Sequence, residues 1–477
     1  MSQAIDQAGE ARLSPPRLLA LVALFVPVAA AQLPLALYLP TLYATTYGLS
    51  LGAIGLVFLI GRTWDALSDP LIGTLSDATR TRFGRRRPWI AAGCLLFAVT
   101  TAQLFFPVGQ PTPLSLGVTL FFFYLSWTMI QLPLYAWMGE ISGRYHERTR
   151  IVAYGHAVSA VSLLFVILLP ALVDLLGPNQ DRLKLGVMGG FILLTLVPAA
   201  LLTLCVGREP PLPTAHARRA PLGDVMRTIF GNMLLLRILA SDFAVTVGQS
   251  VRASLFLFFV TFYLGKPALG GVLFLTQVAL GVLVAPIWLK IGLRVGKHRA
   301  VVAGELVQVG INLCLLLVAP GSIALMFVLV VAQGLAQASG NLMLRAIVAD
   351  VADEHRLNSG EDRTGLMFSV FSLSGKLGTA FAIGVALPLV GYFGFDPKGV
   401  NSPSALLALK LVFALGPALT HALSALVVMS FPLDERRQEA IRAALAQRDA
   451  QASARVEPAA GSRVQAPAQD QLAGDLR

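Results

Sequence analysis

The chain has 477 residues, of which 56% are hydrophobic and 13% are charged. Soluble globular proteins carry about twice that charged fraction, and the mean hydropathy of +0.71 points the same way. A soluble protein of this composition would expose large apolar patches and aggregate. The composition therefore excludes an ordinary soluble enzyme, a disulfide scaffold and a disordered chain, and it predicts an all-α polytopic membrane protein.

The net charge of +11 raises the question of a nucleic-acid partner. The basic residues, however, lie in short loops between apolar runs instead of forming one stripe, so we predict no nucleic acid. The three cysteines, Cys94, Cys205 and Cys314, all lie inside apolar segments. A thiol in that setting behaves as a small hydrophobic group, and no disulfide or metal framework is predicted.

The hydrophobic portion of the chain is long enough for twelve spanning helices, since each needs about 20 apolar residues. We predict spans at 17–45, 50–78, 88–107, 114–141, 150–176, 184–207, 231–263, 267–293, 299–319, 321–349, 364–393 and 403–432. The predicted organisation is an N-terminal segment 1–16, a six-helix bundle 17–207, a linker 208–230, a second bundle 231–432 and a partly disordered tail 433–477. The tail begins with a possible helix from Asp434 to Gln451.

The distribution of Lys and Arg among the loops predicts the orientation of these spans. With both termini in the cytoplasm, the cytoplasmic loops and their edges hold 18 Lys or Arg residues and the outer loops hold four. The four are Arg182, Lys184, Lys266 and Lys398. The excess predicts that both termini are cytoplasmic.

Two pairs of similar features recur at nearly the same distance along the chain. The loop Phe83–Arg87, after span 2, resembles Val295–Arg299, after span 8, at an offset of 212 residues. Glu140 closes span 4 and Asp350 closes span 10, at an offset of 210 residues. The repeats indicate a six-plus-six duplication, the arrangement of transporters in which two bundles rock about a central site.

The strongest local signal is a group of charges inside span 2. Arg62, Asp65 and Asp69 are spaced i, i+3 and i+7, so they share one helix face, with Trp64 and Ser68 beside it. Each intramembrane charge costs about 2.5–3.5 kcal/mol on insertion scales, and one arginine does not neutralise two aspartates. Carboxylates repel each other unless a proton or a cation lies between them, so the pattern indicates a cation site.

The motifs around this group resemble a known family of transporters. The run Arg62-x-x-Asp65-x-x-x-Asp69-Pro70-x-x-Gly73 and the later Gly84-Arg85-Arg86-Arg87-Pro88-Trp89 are similar to those of glycoside–pentoside–hexuronide:cation symporters, the melibiose-permease-like branch of the major facilitator superfamily. In the second half, Ala349-Asp350-x-x-Asp353, Arg363-x-Gly365 and Phe371-x-x-x-Gly375-Lys376-x-Gly378 resemble the helix 10–11 region of that family. The resemblance implies a major facilitator fold of two six-helix bundles.

The same resemblance implies roles for individual residues. Asp65, Asp69 and Ser68 are expected to bind the coupling cation, Na⁺ or H⁺, and the two aspartates would form the metal site for Na⁺. Arg62 and Lys376 are expected to couple ion binding to helix packing. Lys376 follows Arg363 by 13 positions, about 20 Å of helix, which is too deep for easy snorkelling to the interface.

The expected solute site departs from the pattern of sugar-transporting members. Where they carry an aspartate two positions before a proline in helix 4, this chain has Gln131, while the aromatic after the proline is kept as Tyr135. His156 stands where those members have an arginine, and span 1 has alanines and Gln32 in place of another acid. Substrate contacts are expected at Gln131, Tyr135, His156 and Trp64.

A second group of charges is predicted to form a cytoplasmic gate. Ion pairs between the two halves would close the cytoplasmic mouth in one state and break in the other; the alternative is ordinary topology charge. The gate residues are Asp77, Glu140, Arg148, Arg150, Asp350, Asp353 and Arg363.

The sequence thus favours a secondary active transporter that moves a small polar solute, a glycoside or related sugar, together with a cation by alternating access. The alternative within the same family is a lysophospholipid carrier; a drug antiporter and a non-transporting sensor are less favoured. The six histidines are scattered and no phosphate-binding loop occurs, so we predict neither an enzyme nor a cofactor. The family resemblance predicts a monomer in the cell inner membrane.

Overall fold

The computed structural model describes residues 13–141, 145–176, 180–206 and 222–461. Within those ranges, twelve helices are long and apolar enough to cross a membrane, which confirms the predicted all-α membrane protein. Spans 1 to 6 are Phe25–Thr45, Leu51–Ala78, Arg87–Phe105, Pro113–Met138, Arg150–Asp174 and Asp181–Val206. Spans 7 to 12 are Met233–Tyr263, Pro267–Val295, Lys297–Leu317, Ile323–Ser359, Thr364–Tyr392 and Pro403–Met429.

Among the described residues, three helices lie outside the twelve spans, and some helices extend beyond the spans or change winding inside them. The three are Pro15–Val22, Leu222–Gly231 and Glu435–Gly461. The span 4 helix continues to Glu140, and the span 5 helix begins at Tyr145. Spans 1 and 7 contain the π-helical turns Pro34–Tyr38 and Phe259–Tyr263, and span 10 consists of Ile323–Gln337 and Ser339–Ser359.

The structure differs from the sequence prediction at three helix ends. The predicted first span is divided, because Pro15–Val22 is a separate helix and span 1 begins only at Phe25. Span 10, predicted to end at 349, continues to Ser359, where Gly360 terminates it in a left-handed conformation with φ of 81°. The tail helix runs to Gly461, ten residues past the predicted end. Residues 1–12, 207–221 and 462–477 lie outside the described residues.

The two halves of the molecule meet closely at the end where spans 2 and 8 begin. A Cβ atom added at Gly55 of span 2 would lie 2.5 Å from Pro388 of span 11, and one at Gly384 would lie 2.8 Å from Leu59. These glycines let the two backbones approach more closely than larger side chains would allow. We call this end, where spans 2 and 11 are in contact, the closed end.

Spans 5 and 8 make the second contact between the halves at the closed end. A Cβ atom at Gly271, near the start of span 8, would lie 2.9 Å from the backbone of Ala171. Oδ2 of Asp174 in span 5 would lie 2.8 Å from the same Cβ atom. A carboxylate of one half therefore lies beside the start of a helix of the other half, where the first N–H groups have no partner within the helix.

At the opposite end, the halves separate. We call it the basic end, because it carries the arginine-rich loop 79–86. A Cβ atom at Gly73 of span 2 would approach only Leu132 of its own half, and one at Gly365 of span 11 would meet nothing within 4 Å. The molecule is therefore open at the basic end, which is the cytoplasmic end in the predicted orientation.

Candidate cation-binding site

Span 2 places three charged side chains on one face near the middle of the membrane. Asp65 is 2% exposed, and the Asp69 side chain keeps 26% exposure. Because the closed end is sealed by helix contacts, we attribute the exposure of Asp69 to the opening at the basic end. Two neighbouring carboxylates in such an environment require positive charge nearby.

Lys376 of span 11 supplies that charge from the other half of the molecule. Its Nζ lies 3.1 Å from Oδ2 of Asp65 and 2.7 Å from Oδ2 of Asp69. The shorter distance is typical of a charge-assisted hydrogen bond, and the longer one is that of an ion pair. Lys376 therefore bridges the two carboxylates and joins spans 2 and 11 near the middle of both helices.

Arg62 lies on the outer flank of the carboxylate pair. Its Nη1 is 3.8 Å from Oδ2 of Asp65, a longer contact than those of Lys376. The guanidinium stacks over the ring of Tyr124 in span 4, with 4.9 Å to the ring centroid. Arg62 thus orients its charge toward Asp65 while it packs against the N-terminal half.

Thr128 of span 4 contacts both aspartates and was not found from the sequence. Its Oγ1 lies 3.3 Å from Oδ1 of Asp65 and 3.2 Å from Oδ1 of Asp69. A hydroxyl has one hydrogen, so it donates to only one carboxylate at a time. The only signal in the sequence is that Thr128 precedes Gln131 by almost one helical turn, and many other hydroxyl residues lie in the spans.

Ser68 stands beside this hydroxyl and also bonds to its own helix. Its Oγ donates to the backbone carbonyl of Asp65 at 3.0 Å and lies 3.4 Å from Oγ1 of Thr128. Two carboxylates with a threonine and a serine hydroxyl form an oxygen-rich set of the kind that hard cations prefer. The Lys376 ammonium occupies the position between the carboxylates, so an added cation must compete with it.

The side chains expected to contact solute fall into two groups. Trp64 stacks on Phe121 at 4.4 Å between ring centroids, and its indole Nε1 is buried without a hydrogen-bond partner among the described residues. Gln131 and Tyr135 lie 10 and 14 residues further along span 4, about 15 Å and about 21 Å of helix from Phe121. The structure therefore does not bring Trp64 together with them.

Tyr135 and Gln131 lie where the two halves separate. Tyr135 is 45% exposed, and its ring lies 5.1 Å from that of Phe25 in span 1. Gln131 accepts a hydrogen bond from Nε1 of Trp127 at 3.0 Å. His156 of span 5 is exposed. Tyr135 and Gln131 thus form an amphipathic surface with one aromatic face and one amide.

The gate residues of the N-terminal half pair with one another. The Glu140 carboxylate forms ion pairs with Nη2 of Arg85 at 2.7 Å and Nη2 of Arg86 at 2.6 Å. Nη2 of Arg86 also lies 3.3 Å from Oδ1 of Asp77. Burial opposes ionisation of Glu140, but the hydrogen bonds and charges of Arg86 and Arg85 outweigh it and lower the pKa of Glu140 below its ordinary value.

Arg150 serves a different part of the N-terminal half. Its Nη1 lies 3.2 Å from Glu147, and it donates to the backbone carbonyl of Leu13 at 2.9 Å. Glu147 in turn accepts from the backbone N–H of Leu13 at 3.0 Å. The pair fixes the start of the first helix. The Arg148 side chain lies outside the described residues.

The gate residues of the C-terminal half pair within that half. Asp350 bonds to Lys297 at 2.5 Å, and Asp353 accepts from Gln438 of the tail helix at 2.9 Å. Arg363 pairs with Glu361, two residues away, at 2.7 Å. Among the gate residues that the structure describes, the ion pairs all join residues of one half. Because the basic end is open, pairing between halves stays a prediction for the closed state.

The tail helix contributes partners that the sequence did not reveal. Arg437 bonds to Glu354 at 2.5 Å, and Arg442 lies 3.6 Å from both Asp350 and Asp353. The helix is anchored by apolar contacts as well, since its Ile441 is 5% exposed. These arginines could have been suspected only from the charges of the tail.

A family model described as MFS/sugar transport protein matches residues 24–435, which is most of the chain. The chain belongs to this family of membrane transporters. The membership confirms the major facilitator fold and the prediction that the chain is a transporter and not an enzyme.

Similar proteins include several symporters. The transporter is 28% identical to the inner membrane symporter YicJ of Escherichia coli over 83% of this chain and 86% of that one. It is 27% identical to the putative glycoside/cation symporter YagG of E. coli over 84% of this chain and 88% of that one. The sodium-dependent lysophosphatidylcholine symporter 1-A of Danio rerio is 22% identical over 80% of this chain and 79% of that one.

The fold also resembles that of solved transporters. The nucleoside transporter NupG, solved as a point mutant, superposes with a TM-score of 0.67 at 11% identity, over 88% of this chain and all of NupG. At that identity, the likeness concerns the fold alone. It confirms the arrangement of two six-helix bundles.

Proposed function

We propose that this transporter moves a small polar solute, a glycoside, together with Na⁺ or H⁺ by alternating access. The observation that carries the proposal is the contact of Lys376 with both Asp65 and Asp69 across the two halves. An ion that binds between the carboxylates changes the main polar contact between spans 2 and 11. Ion binding and the relative position of the halves are therefore linked.

Na⁺ is the favoured ion, with H⁺ as the alternative at the same carboxylates. The oxygens of Asp65, Asp69 and Thr128 could coordinate a sodium ion once the Lys376 ammonium moves away. A proton on one carboxylate would also weaken its attraction to Lys376. Both ions act by the same competition, since each reduces the negative charge that the lysine neutralises.

The second candidate substrate is an amphiphile such as a lysophospholipid. Two observations favour it: the neutral Gln131 stands where sugar carriers have an acid, and a lysophosphatidylcholine symporter is among the relatives. The exposed ring of Tyr135, which packs on Phe25, offers an aromatic face against which an acyl chain could lie. A glycoside remains our first choice, because YagG is the more similar relative and its name gives that substrate class.

The test is solute binding to purified protein with and without Na⁺, at several pH values, using glycosides and a lysophospholipid. We expect Na⁺ to tighten binding of one class, and Asp65→Asn or Asp69→Asn to abolish the effect. Arg237→Gln, which removes a contact to Ser430 at the edge of span 7, is a suitable control. Binding that ignores both Na⁺ and pH in the wild type would overturn the proposal.

The cellular setting is also part of the proposal. We place the transporter in the cell inner membrane as a monomer, with both termini in the cytoplasm. The similarity to an inner membrane symporter and the excess of basic residues at one end support this arrangement. In that orientation, the basic end is cytoplasmic and the conformation faces inward.

A further inference from the structure

The two solute-facing positions of span 4 have counterparts in span 10 at the offset of the internal repeat. Glu140 and Asp350, which close the two spans, are 210 residues apart. At the same offset, Asn341 corresponds to Gln131 and Arg345 corresponds to Tyr135. An amide is therefore paired with an amide, whereas the aromatic residue of one half is replaced by an arginine in the other.

Arg345 extends from span 10 of the C-terminal half and lies within electrostatic range of Tyr135 in the N-terminal half. Its guanidinium is close enough to the Tyr135 hydroxyl of span 4 and to Asp242 of span 7 to act on both electrostatically. Asn341, one turn earlier on the same face, donates to Gln249 of span 7 at 3.3 Å. This face of span 10 is therefore directed to the interior of the molecule and away from lipid.

The charge of Arg345 has no direct partner within the described part of the chain. The side chain is exposed, and among the described residues it forms neither an ion pair nor a hydrogen bond. Asp242 is 3% exposed and approaches span 11 at Gly375, and its Oδ2 has no hydrogen-bond partner there. An unpaired guanidinium thus faces the space between the halves.

The depth of Arg345 excludes a simple surface role. It precedes the end of span 10, Ser359, by 14 residues, which is about 21 Å of helix. Even from Asp350, which pairs with Lys297 at the basic end, it lies more than one turn further in. A charge at that depth is costly in lipid and is found where it faces a water-filled cavity or a ligand.

We propose that Arg345 recognises an anionic oxygen group on the transported solute, a carboxylate or a phosphate, while Tyr135 and Gln131 contact its uncharged part. This assignment rests on the proposed function, because it concerns the same cavity. A guanidinium binds a carboxylate or a phosphate with two parallel hydrogen bonds. An aromatic ring and an amide on the facing wall suit a hydroxylated or apolar body.

The test compares two matched probe pairs that differ in the anionic group. One pair is 4-nitrophenyl glucuronide and 4-nitrophenyl glucoside; the other is a lysophosphatidylglycerol and a monoacylglycerol of the same chain. We expect the full-length protein to bind the acid of one pair about tenfold more tightly than its neutral partner, a typical contribution of hydrogen bonds to a charged group. The pair that shows the difference identifies a sugar acid or a lipid headgroup as the source of the anion.

Variants assign that difference to the guanidinium. Arg345→Gln should abolish the preference for the acid, and Arg345→Lys should keep part of it, because the ammonium retains the charge but not the fork geometry. Arg237→Gln should leave the preference intact. Equal binding of acid and neutral probes in both pairs, or an Arg345→Gln variant that keeps the preference, overturns the proposal.

The cation dependence separates this proposal from the proposed function. Arg345→Gln should retain the Na⁺ or pH effect on binding of the neutral probe, whereas Asp65→Asn should lose that effect and keep the preference for the acid. Loss of the effect in both variants would place Arg345 in the cation site and overturn its assignment to the solute. If the wild type prefers the acidic probe but its binding does not depend on Na⁺ or pH, the role of Arg345 is supported and cation-coupled symport is refuted.

Discussion

The ammonium of Lys376 lies 2.7 Å from the carboxylate of Asp69, although the two residues belong to opposite halves of the chain and are 307 positions apart. The lysine approaches Asp65 as well, so one side chain of the C-terminal half contacts a pair of acids of the N-terminal half. The contact makes the cation site part of the interface between the halves. Its consequences can be tested one residue at a time.

Lys376→Met removes the internal competitor for the cation. Without the ammonium, the two carboxylates attract an external cation more strongly, so we expect Na⁺ to bind about tenfold more tightly, equivalent to ~1.4 kcal/mol. Isothermal titration of Na⁺ to the purified protein measures the change. Lys410→Met, which removes a contact with the Val318 carbonyl in the C-terminal half, is the control. Weaker Na⁺ binding in Lys376→Met would mean that the lysine assembles the site.

Thr128→Val tests whether the bridging hydroxyl is a ligand. The substitution keeps the shape of the side chain but removes the Oγ1 that contacts Asp65 and Asp69. We expect Na⁺ affinity to fall about tenfold, because a buried charged group loses a hydrogen-bonding oxygen. Thr128→Ser should retain most of the affinity. If the valine variant binds Na⁺ as tightly as the wild type does, the hydroxyl is not a ligand.

Glu140→Gln tests the arginine cluster at the basic end through pH. The pKa of Glu140 is lowered from its ordinary value of 4.5, so the folded protein binds fewer protons there than the unfolded chain. Its contribution to stability is present above the unfolded pKa and is lost as pH falls through the folded pKa. Melting in detergent should show Glu140→Gln less stable than the wild type at pH 7, with the difference shrinking below about pH 4.5.

The control for Glu140 is another glutamate at the same end. Glu361 pairs with Arg363, but its side chain is 60% exposed, so Glu361→Gln should change the melting temperature little at either pH. A pH-independent difference between wild type and Glu140→Gln would argue against a charge effect and for a packing defect.

Gly384→Val is expected to open the closed end. A Cβ atom there would lie 2.8 Å from Leu59, so the larger side chain cannot fit while spans 2 and 11 are in contact. Maleimide labelling of Leu51→Cys, a site that is 4% exposed, reports the opening once Cys94, Cys205 and Cys314 are replaced by serine. We expect labelling to rise about tenfold, the effect of a ~1.4 kcal/mol shift between conformations.

Gly310→Val is the matched control for this experiment. It introduces the same side chain in span 9, where a Cβ atom meets nothing within 4 Å. Labelling should then match that of the parent protein. If Gly384→Val also leaves labelling unchanged, the contact between spans 2 and 11 does not hold this end shut.

The elements that sequence predicted well are those with local signals. Hydropathy located the twelve spans, while the spacing of Asp65 and Asp69 and the family resemblance at Lys376 named three side chains that the structure brings into contact. The contact of Thr128 with both aspartates depends on how spans 2 and 4 pack, and a hydroxyl in an apolar helix gives no distinct pattern. The fold was therefore readable from the sequence, but the full set of oxygens in the site was not.

The gate illustrates the same limit from another direction. The sequence predicts that Asp350 and Asp353 pair with basic residues of the other half, whereas the basic residues beside them in this structure belong to their own half and the tail. The sequence could not tell that Arg442 of the tail would be one of them, because the tail helix docks through tertiary contacts of residues such as Ile441. Trp64 is a similar case, since only packing reveals that its ring stacks on Phe121.

The formal charges of the cation site determine how the membrane potential acts on transport. Asp65, Asp69, Arg62 and Lys376 carry charges that sum to zero, so the return of the empty site moves no charge across the membrane. One elementary charge is worth about 2.3 kcal/mol per 100 mV. If the solute is neutral, the charge of Na⁺ crosses the membrane without compensation. The membrane potential then drives uptake, and uptake generates a current. An acidic solute held by Arg345 would cancel the charge of the ion, and its uptake would be electrically silent.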